Sequence, residues 1–584
     1  MKIKVSFCNK TVLKTDITRY APLWSSYTLV LAVAVLMFLS RPGATPDETS
    51  GRMVNMFSRR ANQMVAANGI YAMLVVQALW GDLLTPRLCN SLHAMPVTRD
   101  GFFGAHLTAG LLFGLIPNAL VFLPAALLVG APAAAASLMT MAAADLQYIF
   151  YLGAALVAVQ LAGNRVGMVL IYGILNFAMV LVYWFCAKVF TPLIYGMESE
   201  MAWVAKSCPT VAMYQGSYFS ALSYSDSFPP YTYHFQGIEA GDAWGKTGVC
   251  AGIGVVCMGI SQMLYRKRKL ESAGDLVAYE ILSPVFLTLY TLSVAGLLHL
   301  AVKQLASGSV SEYFFLPLGL LVGYITGLML LRRTSRIFRK RLLIPLAGIL
   351  GVCFLTLVFI YTDVFGIIRY VPEAEDVESI SILPLSGNSN METGLCLTEK
   401  GDIQAVIDYH QAELTDWQGQ VENALRQTSD CWRPGSYYNV RLEYRLNSGR
   451  RIVRRYALHR TNAAFGEFRM ILSRPELTFG MPEEELRKGL NQRVQICYYD
   501  YSENGQRYYD SSDGLADAML KDCAEGTMLN FSFQEGQMEN WDNTSGNLDV
   551  YQGNDGFCFW TRVFSDCRHT LKWLNSNPYT NSNH

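Results

Sequence analysis

The stretch "SLHAMPVTRDGFFGAHLTAG", residues 91–110, lies between two long apolar runs. It is too short for a domain and too patterned for a loose linker. Pro96 fixes the backbone. Thr98 is of the residue class that caps helices, and Arg99-Asp100 open a helix that carries Phe102, Phe103 and His106 into the next apolar run. A short, firm, polar elbow between two spans suits a membrane subunit that feels a partner outside the bilayer. An ordinary turn between helices explains the same residues.

Outward from the elbow, the apolar residues gather before residue 363 in runs of about 17–25, long enough to cross a bilayer. A first run begins at Pro22. It reads as a retained anchor, because "SRPGATPDE" after it is a poor cleavage site. Further runs fall at 63–83, 104–129, 146–163, 166–188, 247–265, 280–302, 313–331 and 342–362, for an expectation of nine spans. The stretch 130–147, "GAPAAAASLMTMAAADLQ", is the ambiguous one: apolar enough to extend a span, but carrying Asp145.

Orientation follows the basic residues. "YRKRK" (265–269) and "RRTSRIFRKR" (332–341) are the densest clusters and are expected on the cytoplasmic side. Counting spans from them puts the N-terminus inside as well. There "MKIKVSFCNKTVLKTDITRY" spaces Phe7, Leu13, Ile17 and Tyr20 as a helix lying on the membrane surface would. An extra span over 130–147 would put "YRKRK" outside, which argues against it. With an odd number of spans the tail lands outside.

The formal net charge is zero, yet the tail from residue 371 holds 20 Lys and Arg against 31 Asp and Glu. The first part is therefore basic, but its charge sits in short loops between spans, which excludes a nucleic-acid binder. The expected organisation is an α-helical polytopic membrane bundle followed by a C-terminal α+β domain. Its parts are 1–265 with six spans, 266–362 with three more, and 363–584 outside the membrane. In the tail, Ile403, Val406, Ile407, His410, Leu414, Trp417, Val421 and Leu425 recur at helical spacing over 402–426. "YNVRLEYRL", "NSG" and "RRIVRRYAL" read as a hairpin.

Cys396, Cys431, Cys497, Cys523, Cys558 and Cys567 all lie in the tail. Up to three disulfides fit an oxidising compartment, with pairing open; small buried apolar residues are the other reading. No CxxC spacing points to a metal, and neither a metal nor a cofactor is expected.

Catalytic patterns are missing. There is no HExxH and no GxSxG, and His410 reads as a core histidine. "GKTG" at 245–248 fails as a phosphate loop because Ala240 stands where a glycine is needed. Asp82, Asp145, Glu280 and Lys303 are expected near span ends, which weakens an ion-coupled transporter. Gly319, Gly323 and Gly327 share a helix face, and Gly110/Gly114 and Gly248/Gly252 repeat that spacing. Such faces let helices approach closely, within one bundle or between subunits.

"SLHAMPVTRDGFFGAHLTAGLLFGLIP" resembles the cytoplasmic segment of type-2 ABC exporter permeases. There a short proline-bearing elbow after the second span docks on the ATPase. "LKTDITRYAPLW" resembles the leading elbow helix of that family, and "VQLAGNRVGMVLIYGILNF" its junction of fourth and fifth spans. The likeness covers about residues 5–265. "HAMP" departs from the commoner leucine before the proline, and three further spans and a large tail follow. A Firmicutes-type subset carries a comparable tail. The resemblance implies Met95, Pro96, Thr98 and Arg99 as coupling contacts, with Gly163 and Asn164 at a smaller second one. It also implies a separate cytoplasmic ATPase, a second permease subunit in a homo- or heterodimer, and no enzymatic activity in this chain. The competing class is a membrane-anchored sensor or envelope-assembly protein.

Overall fold

The computed structural model describes residues 8–582 except 40–45, 94–96, most of 186–205, 226–232, 306–314, 335–346, scattered positions between 349 and 360, 385–394, 418–436, 460–463, 492–493, 501–504, 510, 529–543 and 553–557. The chain divides into two compact units. One comprises 1–185, 200–300 and 315–347; the other comprises 186–199, 301–314 and 348–584.

The first unit is helical. α1 (Lys10–Arg19) is bent by 55° from α2 (Ala21–Leu39). Then come α3 (Pro46–Leu79), α4 (Pro86–His93), α5 (Arg99–Leu128), α6 (Ala131–Leu161) and α7 (Arg165–Trp184). The short α8 (Pro209–Gln215) leads to β1 (Phe219–Ser225) and β2 (Tyr233–Ala240), an antiparallel hairpin. α9 (Ala243–Lys267), α10 (Ser283–Leu305) and α11 (Phe315–Arg332) complete it.

Six described helices are long and apolar enough to cross a membrane, or seven if the bent pair α1–α2 is one span. Nine were expected. The one over 63–83 is the second half of α3, where Asn62, Gln63, Asn68 and Gln77 dilute the apolar run. The one over 342–362 is described only in part, and its described positions are helical.

The segment 130–147 is a correction. Its alanines are strong helix formers, and Gly130, with φ +82°, starts the helix ahead of Pro132. They extend α6 into one 31-residue helix, so the span expected at 146–163 begins some four turns earlier. Asp145 is therefore near the middle of a helix and not at a span end.

Helix α6 is the hub, packed on α3, α5, α7 and α9. Its approach to α9 is close enough that a Cβ on Gly153 would land on the Gly254 carbonyl. The glycine face of α11 packs within the chain. Added Cβ atoms would sit 2.7 Å from Ala295 Cα at Gly319, 2.8 Å from Thr291 O at Gly323 and 2.7 Å from Leu287 Cδ1 at Gly327. Gly110 and Gly114 likewise meet Leu152 and Tyr148, whereas Gly248 and Gly252 face open space.

The second unit has two α/β cores. A four-stranded antiparallel sheet in the order β4-β3-β5-β6 joins β3 (Val377–Pro384), β4 (Leu395–Leu397), β5 (Tyr437–Leu446) and β6 (Arg451–His459). The expected hairpin is β5–β6, with Leu442, Tyr444 and Leu446 inward. Against it lies α12 (Lys400–Glu413), which is shorter than the expected 402–426. A 3-10 turn over Leu414–Asp416 follows, and Val421 and Leu425 lie outside the described residues.

α13 (Phe465–Leu472), α14 (Pro475–Thr478) and α15 (Glu483–Leu490) lead to the second core. Its elements are β7 (Val494–Asp500), β8 (Gly505–Tyr509), α16 (Leu515–Ala524), β9 (Thr544–Gln552), β10 (Cys558–Phe564), α17 (Arg568–Ser576) and β11 (Thr580–Ser582). The five strands run β10-β9-β7-β8-β11, all antiparallel.

Candidate functional site

The elbow forms one end of the helical unit. Met95 and Pro96 lie outside the described residues. Just before them, α4 buries Cys89 and leaves Arg87, Leu88, Asn90 and Ser91 exposed. Just after them, Thr98 is exposed and caps α5, its Oγ1 accepting from Gly101 N at 3.2 Å. This is the cap expected from the sequence.

Arg99 turns inward. Its Nη1 donates to the carbonyls of Tyr265, Arg266 and Arg268 at 3.3, 3.1 and 3.3 Å. These are end carbonyls of α9, which have no partner within their own helix and carry the negative end of its dipole. Asp100 completes the contact, accepting from Arg266 Nε at 2.8 Å and Gln262 Nε2 at 3.4 Å. Arg268 does for α6 what Arg99 does for α9. Buried, it donates to Val159 O at 2.7 Å and Gln160 O at 3.4 Å. Burial lowers its pKa to about 10, so it keeps its charge at neutral pH.

Beneath the elbow the ring of Trp80, at the end of α3, packs on Phe103, His106 and Tyr265 with centroids 5.2–5.3 Å apart. Helix α1 is bound to the same body. Asn9 caps it and donates its own N–H to Gly101 O, and buried Asp16 meets His106 Nδ1 at 2.7 Å. Arg19 reaches Asp82 at 3.8 Å.

The second expected contact is also internal. Asn164 caps α7, accepting from Gly167 N at 2.7 Å. Gly163 is buried, its O accepting from Gly274 N at 2.6 Å and its N donating to Leu276 O at 3.3 Å. A Cβ at Gly163 would land on the carbonyls of Ser272 and Asp275. Of the expected coupling residues, Thr98 alone is exposed among those described; Arg99, Gly163 and Asn164 hold the end together. The sequence reading used "YRKRK" for orientation and missed its capping role. The signal was there: arginines at helix ends are placed to take orphan carbonyls.

The remaining candidates are structural in character. "GKTG" comes after β2, but α9 begins at Ala243, so Gly245 is inside a helix and Lys246 pairs with Asp242. His410 is buried between the hydroxyls of Tyr444 and Tyr456. Desolvation, with help from Arg454, lowers its pKa to about 3 and keeps it neutral. Cys396, Cys497, Cys523 and Cys567 are unbridged; Cys431 and the side chain of Cys558 lie outside the described residues. Burial pushes the thiols of Cys523 and Cys567 up to about 12.

Asp522, Glu525 and His569 come within metal-ligand reach of one another. However, Asp522 spends its oxygens on the start of α17, accepting from His569 N at 3.1 Å, Thr570 N at 2.7 Å and Thr570 Oγ1 at 2.6 Å. No protein-family profile matches the chain, and no curated protein or solved structure is significantly similar to it.

Proposed function

We propose that the chain is the membrane-spanning permease subunit of an ABC transporter, an exporter working as a pair of permeases and powered by a separate cytoplasmic ATPase. The observation that carries this reading is the clamp at the elbow. Arg99 and Asp100 tie the start of α5 to the end of α9, and Asp16–His106 ties in α1. A push on the 86–98 segment is therefore handed to several helices together. A machine that converts nucleotide-driven movement into repacking needs such a transmitter.

In this reading Arg87, Leu88, Asn90, Ser91 and Thr98, with Met95 and Pro96, receive the ATPase. Arg99, Gly163 and Asn164 keep the receiving surface stiff. The elbow end and the N-terminus face the cytoplasm, and the tail faces outside.

The test is purification of the full chain from its host in mild detergent, scored for a co-purifying ATPase. Leu88→Asp is expected to lower the ATPase recovered by about tenfold, the effect of losing one modest hot spot, with no change in the permease's own melting. Arg99→Ala is expected to leave the ATPase bound while uncoupling hydrolysis from transport. A chain that comes out alone in every case sinks the proposal.

A second reading rests on the tail: two complete α/β cores are more than a gate requires. If elbow substitutions are harmless and tail deletion abolishes function, a membrane-anchored sensor or envelope-assembly protein is the better description.

A further inference from the structure

Asp145 is an ionisable group on α6, one of the candidate spans, half-buried among its neighbours. It lies fourteen residues after Ala131 and sixteen before Leu161 in α6. At 1.5 Å per residue it is about 21 Å from one end and about 24 Å from the other. The hydrocarbon core of a bilayer is about 30 Å thick. Any placement of α6 across a membrane therefore keeps Asp145 inside the hydrocarbon, at least about 6 Å from either face.

Its surroundings are polar but uncharged. Asn118 Nδ2 on α5 donates to Asp145 Oδ1 at 2.8 Å. Tyr27 OH on α2 lies 3.3 Å from Asn118 Oδ1 and 3.0 Å from Asn68 Oδ1 on α3. Asn68 Nδ2 donates to Gln147 Oε1 at 3.1 Å, and Gln147 Nε2 to Tyr218 OH at 2.8 Å. Tyr218 OH meets Thr247 Oγ1 on α9 at 2.9 Å. The network joins five helices, reaching α9 through Tyr218 of the hairpin, with Asn68, Asn118 and Gln147 fully buried.

Among the described residues no cation pairs with Asp145, and Asn118 is the one donor to its carboxylate. Tyr27, Tyr71 and Tyr148 bring their hydroxyls to the same region. The last two donate to Phe113 O and Gly110 O, and Tyr71 stacks on Tyr27 at 3.8 Å. Helix α2 has no charged side chain. On α5, His106 is about 18 Å along the helix from Asn118 and is held by Asp16. On α3, Arg59 is exposed, and Arg60 is about 12 Å along the helix from Asn68, reaching Ala34 O at 3.5 Å. On α9, Lys246 is paired with Asp242.

An ionised carboxylate with one hydrogen bond and no counter-charge is costly at this depth, where neither lipid nor a packed helix solvates it. We propose that Asp145 is an intramembrane proton-binding site. Oδ1 accepts from Asn118, the proton taken from water sits on Oδ2, and the network on α2, α3, α5, α6 and α9 is built to hold the neutral acid. Release of that proton would put a charge where four helices meet, so proton loading biases how they pack. The inference is independent of any ATPase or cargo.

Infrared spectroscopy of the full chain in lipid nanodiscs tests it. At pH 7 one protonated carboxyl band is expected that Asp145→Asn removes. Isotope labelling of aspartate carboxyls should shift it, which keeps the assignment open to test if that variant does not fold. Asn118→Ala should keep the band and move it to higher frequency, because a hydrogen bond to the carbonyl is lost. Absence of an Asp145 acid band at pH 7 overturns the proposal, whether the carboxylate is ionised against water or against sodium. Sodium is recognised by a carboxylate signal that responds to sodium at fixed pH.

Discussion

The two units of this chain bury polarity in different ways. In the helical unit the interior polar groups are mostly amides and hydroxyls bonded to backbone carbonyls or to one another, and close packing is achieved by glycine. Asn68, Asn118 and Gln147 join four helices, while Gly153 meets Gly254 and Gly323 meets Thr291. In the tail the buried polar groups include full charges with dedicated partners. Arg507 pairs with Asp500 at 2.7 Å, and Asp522 holds the first N–H groups of α17. The difference follows from the surroundings. A helix in lipid gains little by hiding leucine from leucine, so its contacts are selected by shape and hydrogen bonds. A domain in water gains by burying apolar side chains, and its internal charges persist only when paired.

The comparison can be broken most sharply at α11. Gly323→Leu would force a side chain into the backbone of α10, and a loss of about 3 kcal/mol or more is expected, read as a collapse of detergent-resistant melting. Gly252→Leu, facing open space, should leave the monomer's melting unchanged. If both behave alike, the glycine spacing is not about packing within the chain.

In the tail, Asp522→Ala should cost about 2 kcal/mol, because three donors at the start of α17 lose their acceptor. Denaturant unfolding followed through the tail's tryptophans measures it. A loss within error would mean that water replaces the carboxylate.

His410 gives a smaller and conditional effect. Its folded pKa, about 3, lies below the ordinary value of 6.5. The unfolded chain therefore binds the proton first, and stability falls as pH drops below about 6.5, by at most about 1.4 kcal/mol per pH unit. His410→Gln should flatten that slope between pH 6 and pH 4 in the same unfolding experiment. An unchanged slope would assign the acid sensitivity elsewhere.

The smallest expected effect on stability, none, belongs to labelling of Cys396. It is exposed on β4, whereas Cys523 and Cys567 are buried thiols. An impermeant maleimide added to intact cells should label Cys396 and spare the other two if the tail faces outside. Labelling only after lysis would reverse the proposed orientation.

Particular elements show what the sequence made legible. Apolar runs located the helices of the bundle, since a long uncharged stretch has few other uses. The alternation Leu442, Tyr444, Leu446 located a strand and its inward face. Thr98 announced a helix start by its chemistry, and its cap is present. The β1–β2 hairpin was missed because "YFSALSYS" and "YHFQGIEA" carry too few apolar residues at alternating positions to stand out between spans.

Other readings depended on continuity along the chain. Asp145 looked like the edge of a span because the apolar run was bounded at 146, with "GAPAAAASLMTMAAADLQ" the ambiguous stretch before it. Only the observation that α6 runs unbroken through it moves the carboxylate to the middle of the helix.

By itself, then, the sequence determined which segments are helical and apolar, where caps begin them, and that a polar α+β tail follows. Local propensity and hydrophobic period are properties of short stretches, so they can be read one stretch at a time. Tertiary structure alone decided which faces meet. It turned Arg99 inward onto the carbonyls of α9, left Gly248 and Gly252 without a neighbour, and brought Tyr27, Asn68, Asn118, Asp145 and Gln147 together from four helices. In a bundle whose outward residues are as apolar as its inward ones, hydrophobicity does not distinguish the two. Side-chain shape and hydrogen-bond partners do, and both exist only once the helices are side by side.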